Sequence, residues 1–211
     1  MARLVWGART ERFYEAGVDN GVLYLADSLG IAWSGLISVS ETPSGGEAKP
    51  FYFDGEKYQN LSAAEEYEAE ITAFSRPAEF AGCEGIVSVN NGLFVTQQPR
   101  VPFSLSYRTQ VGNDVEGPNH AYKIHIVYNA LAAPTRKENQ TLSDTVDPTT
   151  LTWAITTLPP DISGYKRTAH FIVDSRYTPE GVLTDLTDIL YGTDVDAARI
   201  PDTTELLAIF A

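Results

Sequence analysis

Six segments of this chain alternate large apolar residues with small or polar ones at every second position, and no other feature narrows its fold so far. Period two is the repeat of a β-strand, whose side chains point in turn to opposite faces. In residues 31–40, Ile31, Trp33, Ile37 and Val39 fall on one face, and Ser34, Leu36, Ser38 and Ser40 on the other. In 67–73 the wet side takes Glu68, Glu70 and Thr72, and in 121–128 the dry side takes Tyr122, Ile124, Ile126 and Tyr128. Residues 103–111, 150–156 and 168–174 read the same way. Strands with one dry and one wet side make antiparallel sheets. Stacked or rolled, such sheets give a mainly β chain, an antiparallel β-sandwich or barrel.

Between the strands lie clusters of turn residues. Residues 41–50 form a polar stretch too long for a tight turn and are expected to project as a loop. Asp54-Gly55, flanked by aromatic residues from Phe51 to Tyr58, predicts a hairpin, because Asp-Gly tolerates the positive φ angles of a type I′ turn. Helical spacing appears late. Val182, Leu183, Leu186, Ile189 and Leu190 make a buried stripe, with Thr178 as cap, Pro179 at the first helical position and Gly192 as terminator. The pattern predicts one packed α-helix over about 178–191. Asp202 and Glu205 have the spacing of a capping box and predict a short C-terminal helix. Residues 1–20 hold Arg3, Arg9 and Arg12 without a clear period and read as an N-terminal arm. The remainder, 21–211, suits a single domain.

Composition then limits function. The 211 residues carry 15 basic and 28 acidic side chains, a formal charge of −13. Such a chain repels polyanions, whereas nucleic-acid binders need a basic footprint that releases counterions. No stretch approaches a membrane span or a secretory h-region, so folding in a cytoplasm is expected.

Residues able to do chemistry are few. Cys83 is the single cysteine, which rules out an intrachain disulfide, and it has no cation beside it in sequence. His120 and His125 are five apart, so on a strand they face opposite ways and share no ion unless the strand bulges. Asp194 and Asp196 suit a weak calcium loop or plain solvation. Glu68 and Glu70 stand about 7 Å apart on one strand face, a separation compatible with paired-carboxylate glycoside hydrolysis. The competing reading is a solvated acidic face, and the aromatic residues that a glycan cleft needs fall mostly on inferred dry sides. The expectation is no enzyme, no cofactor and no metal. The Ser- and Thr-lined wet faces (Ser34, Ser38, Ser40, Thr72, Ser104, Ser106, Thr152, Thr156) are either ordinary solvent-facing sides or walls with little grip for a passing polyanion.

Several strings resemble the major tail (tail tube) protein of long-tailed, siphovirus-type bacteriophages, particularly those infecting actinobacteria. They are WGARTERFY at 6–14, GLISVSETPSGG at 35–46 with the hairpin after it, LSYRT at 105–109 and VGND at 111–114. YKIHIVYNALA at 122–132, TWAITTLPP at 152–160 and DILYGTD at 188–194 complete the set. The resemblance implies a virion protein, assembled in the host cytoplasm, that forms hexameric rings stacked into a tube for genome delivery. It implies self-association and contact with tape measure, distal tail and tail terminator proteins, with DNA passing without binding. On that reading Glu68, Glu70 and Thr72 face the lumen, and Arg3, Arg9, Arg12, Glu41 and Lys49 make contacts between subunits or rings. The alternative is a carbohydrate-binding or receptor-binding β-sandwich module of a virion, which predicts exposed Trp or Tyr on one face or loop set.

Overall fold

The computed structural model describes residues 6–7, 9, 11–26, 29–90, 92–139, 141 and 149–211; Arg3 lies outside them. In chain order the strands are β1 (Phe13–Leu25), β2 (Ile31–Ala32), β3 (Leu36–Glu41), β4 (Ser44–Gly45), β5 (Ala48–Phe53), β6 (Glu56–Ser62), β7 (Glu65–Glu66) and β8 (Glu68–Ala73). After a 3-10 turn at Ala78–Ala81 come β9 (Val87–Asn90), β10 (Leu93–Val95), β11 (Phe103–Asn113), β12 (Gly117–Ala132), β13 (Leu151–Thr157) and β14 (His170–Asp174). Two helices follow, α1 (Glu180–Tyr191) and α2 (Thr203–Ile209). The main sheet runs β2-β1-β11-β12-β13-β8-β3, with β14 added on β12, and its pairings are antiparallel. Three two-stranded ladders, β4–β7, β5–β6 and β9–β10, stand apart from it. The fold is mainly antiparallel β with a helical cover, as the alternation predicts.

The sheet buries apolar residues on both faces over part of its area. On the inner face Trp33, Phe80, Phe103 and Trp153 interlock, with ring centroids 4.8–5.7 Å apart, beside Leu23, Ile71, Leu105, Val127 and Ile155. The indole N–H groups are satisfied: Trp33 donates to the Ser75 carbonyl (2.9 Å) and Trp153 to Glu84 (2.7 Å). On the opposite face of β1, β11 and β12, Val22, Tyr24, Ile124, Ile126 and Tyr128 meet Leu186 and Leu190 of α1 and Leu206 of α2. Each buried leucine there stabilises the fold by about 1.5–3 kcal/mol. Tyr24 donates to the Leu190 carbonyl (2.7 Å) and Tyr128 to that of Pro201 (2.9 Å), pinning the helical layer to the sheet.

One dry and one wet side therefore holds only for β3, β8 and β13. Ser106, expected on a wet face, is fully buried and bonds to the Tyr24 hydroxyl (3.0 Å) because the helices cover it. The register slips between Leu36 and Ser38, which turns Leu36 and Val39 to the core and leaves Ile37 exposed, the reverse of the expected assignment for Leu36 and Ile37. Pro179, not Thr178, occupies the cap of α1, and the Thr178 hydroxyl bonds instead to the Asp174 carbonyl (2.9 Å). Asp202 caps α2 by accepting from the Glu205 amide (2.8 Å). The Glu205 carboxylate goes to Arg199 (2.6 and 2.7 Å).

β12 is long enough to serve two neighbours. It pairs β14 over residues 123–127 and β13 over 130–132, with β11 along its other edge. Between these stretches the β11 pairing jumps from Leu105↔Val127 to Phe103↔Ala130, and Asn129 takes a left-handed φ of 50°. Asn tolerates that conformation better than most residues. This bulge re-aims the strand from one partner to the other.

Candidate functional site

Three features stand out from the frame. The first is the outer face of β3–β8–β13. Register places Glu70 between Ser40 and Ala154, Thr72 between Ser38 and Thr152, and Glu68 opposite Thr156. Ala69, Ile71 and Ala73 on the same strand are buried, so Glu68, Glu70 and Thr72 share the solvent side. Glu70 is exposed, Glu68 and Thr72 are half-buried, and Glu68 accepts from the Ser44 hydroxyl (2.8 Å).

The second feature is the pair of hairpins. Asp54 and Gly55 have φ of 51° and 82°, as a type I′ turn demands, and join β5 to β6. Every residue of β5, β6, β9 and β10 is exposed. Among them are Phe51, Tyr52, Phe53, Tyr58, Leu61 and Phe94. The stretch expected to loop out at 41–50 runs through the end of β3, the β4 bridge and the first half of β5, where Lys49 stands opposite Leu61. Near the start, β1 already begins at Phe13, inside the segment read as an arm. Arg9 is exposed, and Arg12 donates to the Gly7 carbonyl (3.1 and 2.8 Å).

The third feature lies where the inner core turns polar. Along β12 the inward side chains run Val127, His125, Lys123; β11 answers with Leu105, Tyr107, Thr109. His170 of β14, opposite Val127, comes to the same place. His125 Nδ1 lies 3.0 Å from His170 Nε2, with the rings 14° from coplanar, so the nitrogens meet edge to edge. Glu41, the last residue of β3, brings Oε1 to 3.5 Å from His125 Nδ1 and 3.8 Å from His170 Nε2. Tyr107 stacks on His125 (4.6 Å, 6°), and Tyr67 packs on His170 (4.4 Å).

The protons in this cluster follow from its partners. Glu15 is ionised: burial pushes its pKa up, but hydrogen bonds from Lys123 and Thr109 outweigh it and hold the carboxyl below its usual range. An ionised carboxylate only accepts, so Thr109 gives its proton to Glu15 (2.6 Å). Thr109 Oγ1 must then accept from His125 Nε2 (3.1 Å), which leaves Nδ1 of a neutral His125 as a bare lone pair. His170 Nε2 is the donor to it. Likewise Tyr107 donates to Glu41 (2.9 Å), and its oxygen is left to accept from Tyr67 (3.5 Å). Burial lowers the pKa of both histidines, that of His170 to about 4, against the pull of Glu41. Burial likewise drives the Tyr67 and Tyr107 phenols far up. His120 takes no part; it bonds to Glu116 (2.6 Å) and Asn113 (3.2 Å) and stacks on Phe13. Sequence spacing could not reveal this cluster, because His125 and His170 are 45 residues apart and meet only through the β12–β14 register.

Arg108 and Lys123 are matched by acids of β1. Arg108 grips Asp19 with Nε at 2.6 Å and Nη2 at 2.9 Å and lies 5.0 Å from the centre of the Tyr122 ring. Lys123 pairs with Glu15.

Fold and surfaces together describe a two-faced β protein with free hairpins. No protein-family model matches the chain, and no curated protein matches it. Among solved structures it is similar to a chain of the sheath–tube complex of an extracellular contractile injection system (PVC) in the extended state. There the identity is 10%, the TM-score 0.40, and the coverage 80% of this chain and 93% of that one. It is also similar to a chain of the six-fold symmetrised baseplate of the anti-feeding prophage (AFP), at 10% identity and TM-score 0.36, covering 81% and 97%. No helix among the described residues is long and apolar enough to cross a membrane.

Proposed function

We propose that this chain is a structural virion protein, non-enzymatic, that self-assembles into hexameric rings stacked as a phage tail tube. The observation that carries the reading is the pair of hairpins, β5–β6 and β9–β10. A lone two-stranded hairpin is marginally stable in water, and here Phe51, Tyr52, Phe53, Tyr58 and Leu61 on one hairpin and Leu93, Phe94 and Val95 on the other are exposed together, as at a contact site. Neighbouring copies supply the missing cover, and the open edge of β3 offers a ladder for pairing between subunits. The tail-tube-like strings at 6–14, 35–46, 105–114 and 122–132 support the same reading.

In that assembly the β3–β8–β13 face lines the bore. Its wall of Ser, Thr, Glu68 and Glu70 offers phosphate no cation, so DNA slides past. Six copies place roughly 78 formal negative charges in each ring. Arg9, Arg12 and Lys49, all exposed, are the contacts between subunits or rings; the Glu41 carboxylate is already engaged by Tyr107. Tape measure, terminator and distal tail proteins are the expected partners.

A second reading is favoured by one observation. Tyr52, Phe53 and Tyr58 are exposed together on one hairpin, Phe53 and Tyr58 edge to face at 5.6 Å, as a carbohydrate-binding or receptor-binding module would present them. Negative-stain microscopy of the purified protein at rising concentration separates the two. Rings or tubes are the expected result; a monomer that binds glycan through these three residues overturns the tube reading.

A further inference from the structure

We infer that His125, His170 and Glu41 form a binding site for one borderline divalent metal ion of the zinc class. The argument stands apart from the assembly proposed above. Two acceptors, the bare Nδ1 of His125 and the Glu41 Oε1 that also takes the Tyr107 proton, converge on the proton of His170 Nε2. The centre is thus richer in lone pairs than in hydrogens, a place for a cation.

The spacing fits such an ion. The three donor atoms are 3.0, 3.5 and 3.8 Å apart, and the point equidistant from them lies about 2.0 Å from each, the length of a Zn–N or Zn–O bond. Donor atoms around a tetrahedral ion sit about 3.3 Å apart. Loading therefore needs the His170 proton to pass from Nε2 to Nδ1 through water, a change of tautomer, and the two edge-to-edge rings to tilt until both lone pairs aim at the ion instead of along the line between the nitrogens. Two histidines and a carboxylate suit zinc or another late divalent metal far better than magnesium or calcium, which take oxygen cages.

Two of the three ligands have outer partners of the kind a metal site uses. Ligating imidazoles are oriented through their second nitrogen, and ligating carboxylates are themselves hydrogen-bonded. Here His125 Nε2 is held by Thr109 and, through it, by Glu15, while Glu41 is held by Tyr107. The His125 side chain is 6% exposed, yet Glu41 is 38% exposed, and an open groove lined by Tyr67, Lys166 and Arg167 reaches His170. The ion has a dry seat and a route in. Its fourth position is left for water or an outside ligand. The ligands come from β3, β12 and β14, so a bound ion ties β14 to the far edge of the sheet.

The test is titration of tag-free protein with Co(II), read by visible absorption, followed by competition with Zn(II) and Mg(II). One Co(II) per chain is expected, displaced by Zn(II) and untouched by Mg(II). His170→Gln and Glu41→Gln are each expected to weaken binding at least tenfold, and His120→Gln to leave it unchanged. Glu41 is on the surface, so its variant keeps the test decisive if replacing a histidine disturbs folding, which far-UV circular dichroism reads. Absence of stoichiometric Co(II) binding, or binding that survives Glu41→Gln at full strength, overturns the inference.

Discussion

Single residues decide where charge is tolerated in this chain. Asp19 accepts three hydrogen bonds, two from Arg108 and one from Gln110 (3.0 Å), and the Arg108 guanidinium holds its carboxyl below the ordinary aspartate range. Asp19→Asn removes the charge and is expected to lower stability by about 1–3 kcal/mol at neutral pH in urea denaturation. Because the folded pKa is depressed, this contribution is complete above pH 3.8 and is lost as the pH falls through the folded value. Stability of the Asn variant should therefore fall less steeply with acid. Cys83 is a second case. It is fully buried, and burial pushes its thiol up to about 12, so it belongs to the core. A thiol reagent at pH 8 should leave the folded protein unlabelled and label one thiol per chain in denaturant. The inert thiol is what the cation-poor flanks of Cys83 suggest in sequence, whereas Arg108 meets Asp19 only through the β1–β11 register, which sequence does not show.

At the scale of elements, the bends matter more than the straight runs. Asn129 holds its left-handed conformation where β12 changes partners. Asn129→Gly keeps the conformation and loses only the side-chain hydrogen bond to the Leu158 carbonyl (3.2 Å), whereas Asn129→Val should lower the melting temperature further, since the left-handed conformation costs an ordinary L-residue about 1–2 kcal/mol. Asp202→Ala removes the α2 cap and is expected to cost about 1 kcal/mol by thermal denaturation. The sequence showed most of this layer: five of the six alternating segments, the Asp54-Gly55 hairpin, the α1 stripe and the Asp202 cap are where local pattern puts them, whereas 31–40, read as one strand, breaks at Ser34-Gly35 into β2 and β3 on opposite edges of the sheet. Local pattern fails where tertiary packing overrides it. Ser106 looks like a wet-face residue until α1 and α2 cover it, and the slip beside Leu36 reverses two side chains that strict alternation assigns otherwise. The histidine cluster is the extreme case, since Glu41, His125 and His170 share no spacing at all and meet by topology alone.

For the whole molecule, the proposed assembly makes the hairpins dispensable for folding and essential for association. Replacing residues 50–60 with a short Gly-Ser link should leave the circular dichroism of the main sheet intact while abolishing rings and tubes in negative stain. Glu68→Lys with Glu70→Lys should still give tubes, now retaining added DNA, as a salt-dependent pull-down would read. Charge reversal at Arg9 and Arg12 should slow tube growth without unfolding the chain; unchanged tubes would remove those two arginines from the contact. The course of β12 sets how the particle bears load. Tension entering through β13 and tension entering through β14 both run into one covalent backbone, either side of Asn129. Stretch along that line is opposed by chemical bonds, while a peel at the β2 or β3 margin is opposed only by a ladder that opens rung by rung, so rupture should start at the margins and leave this girder for last.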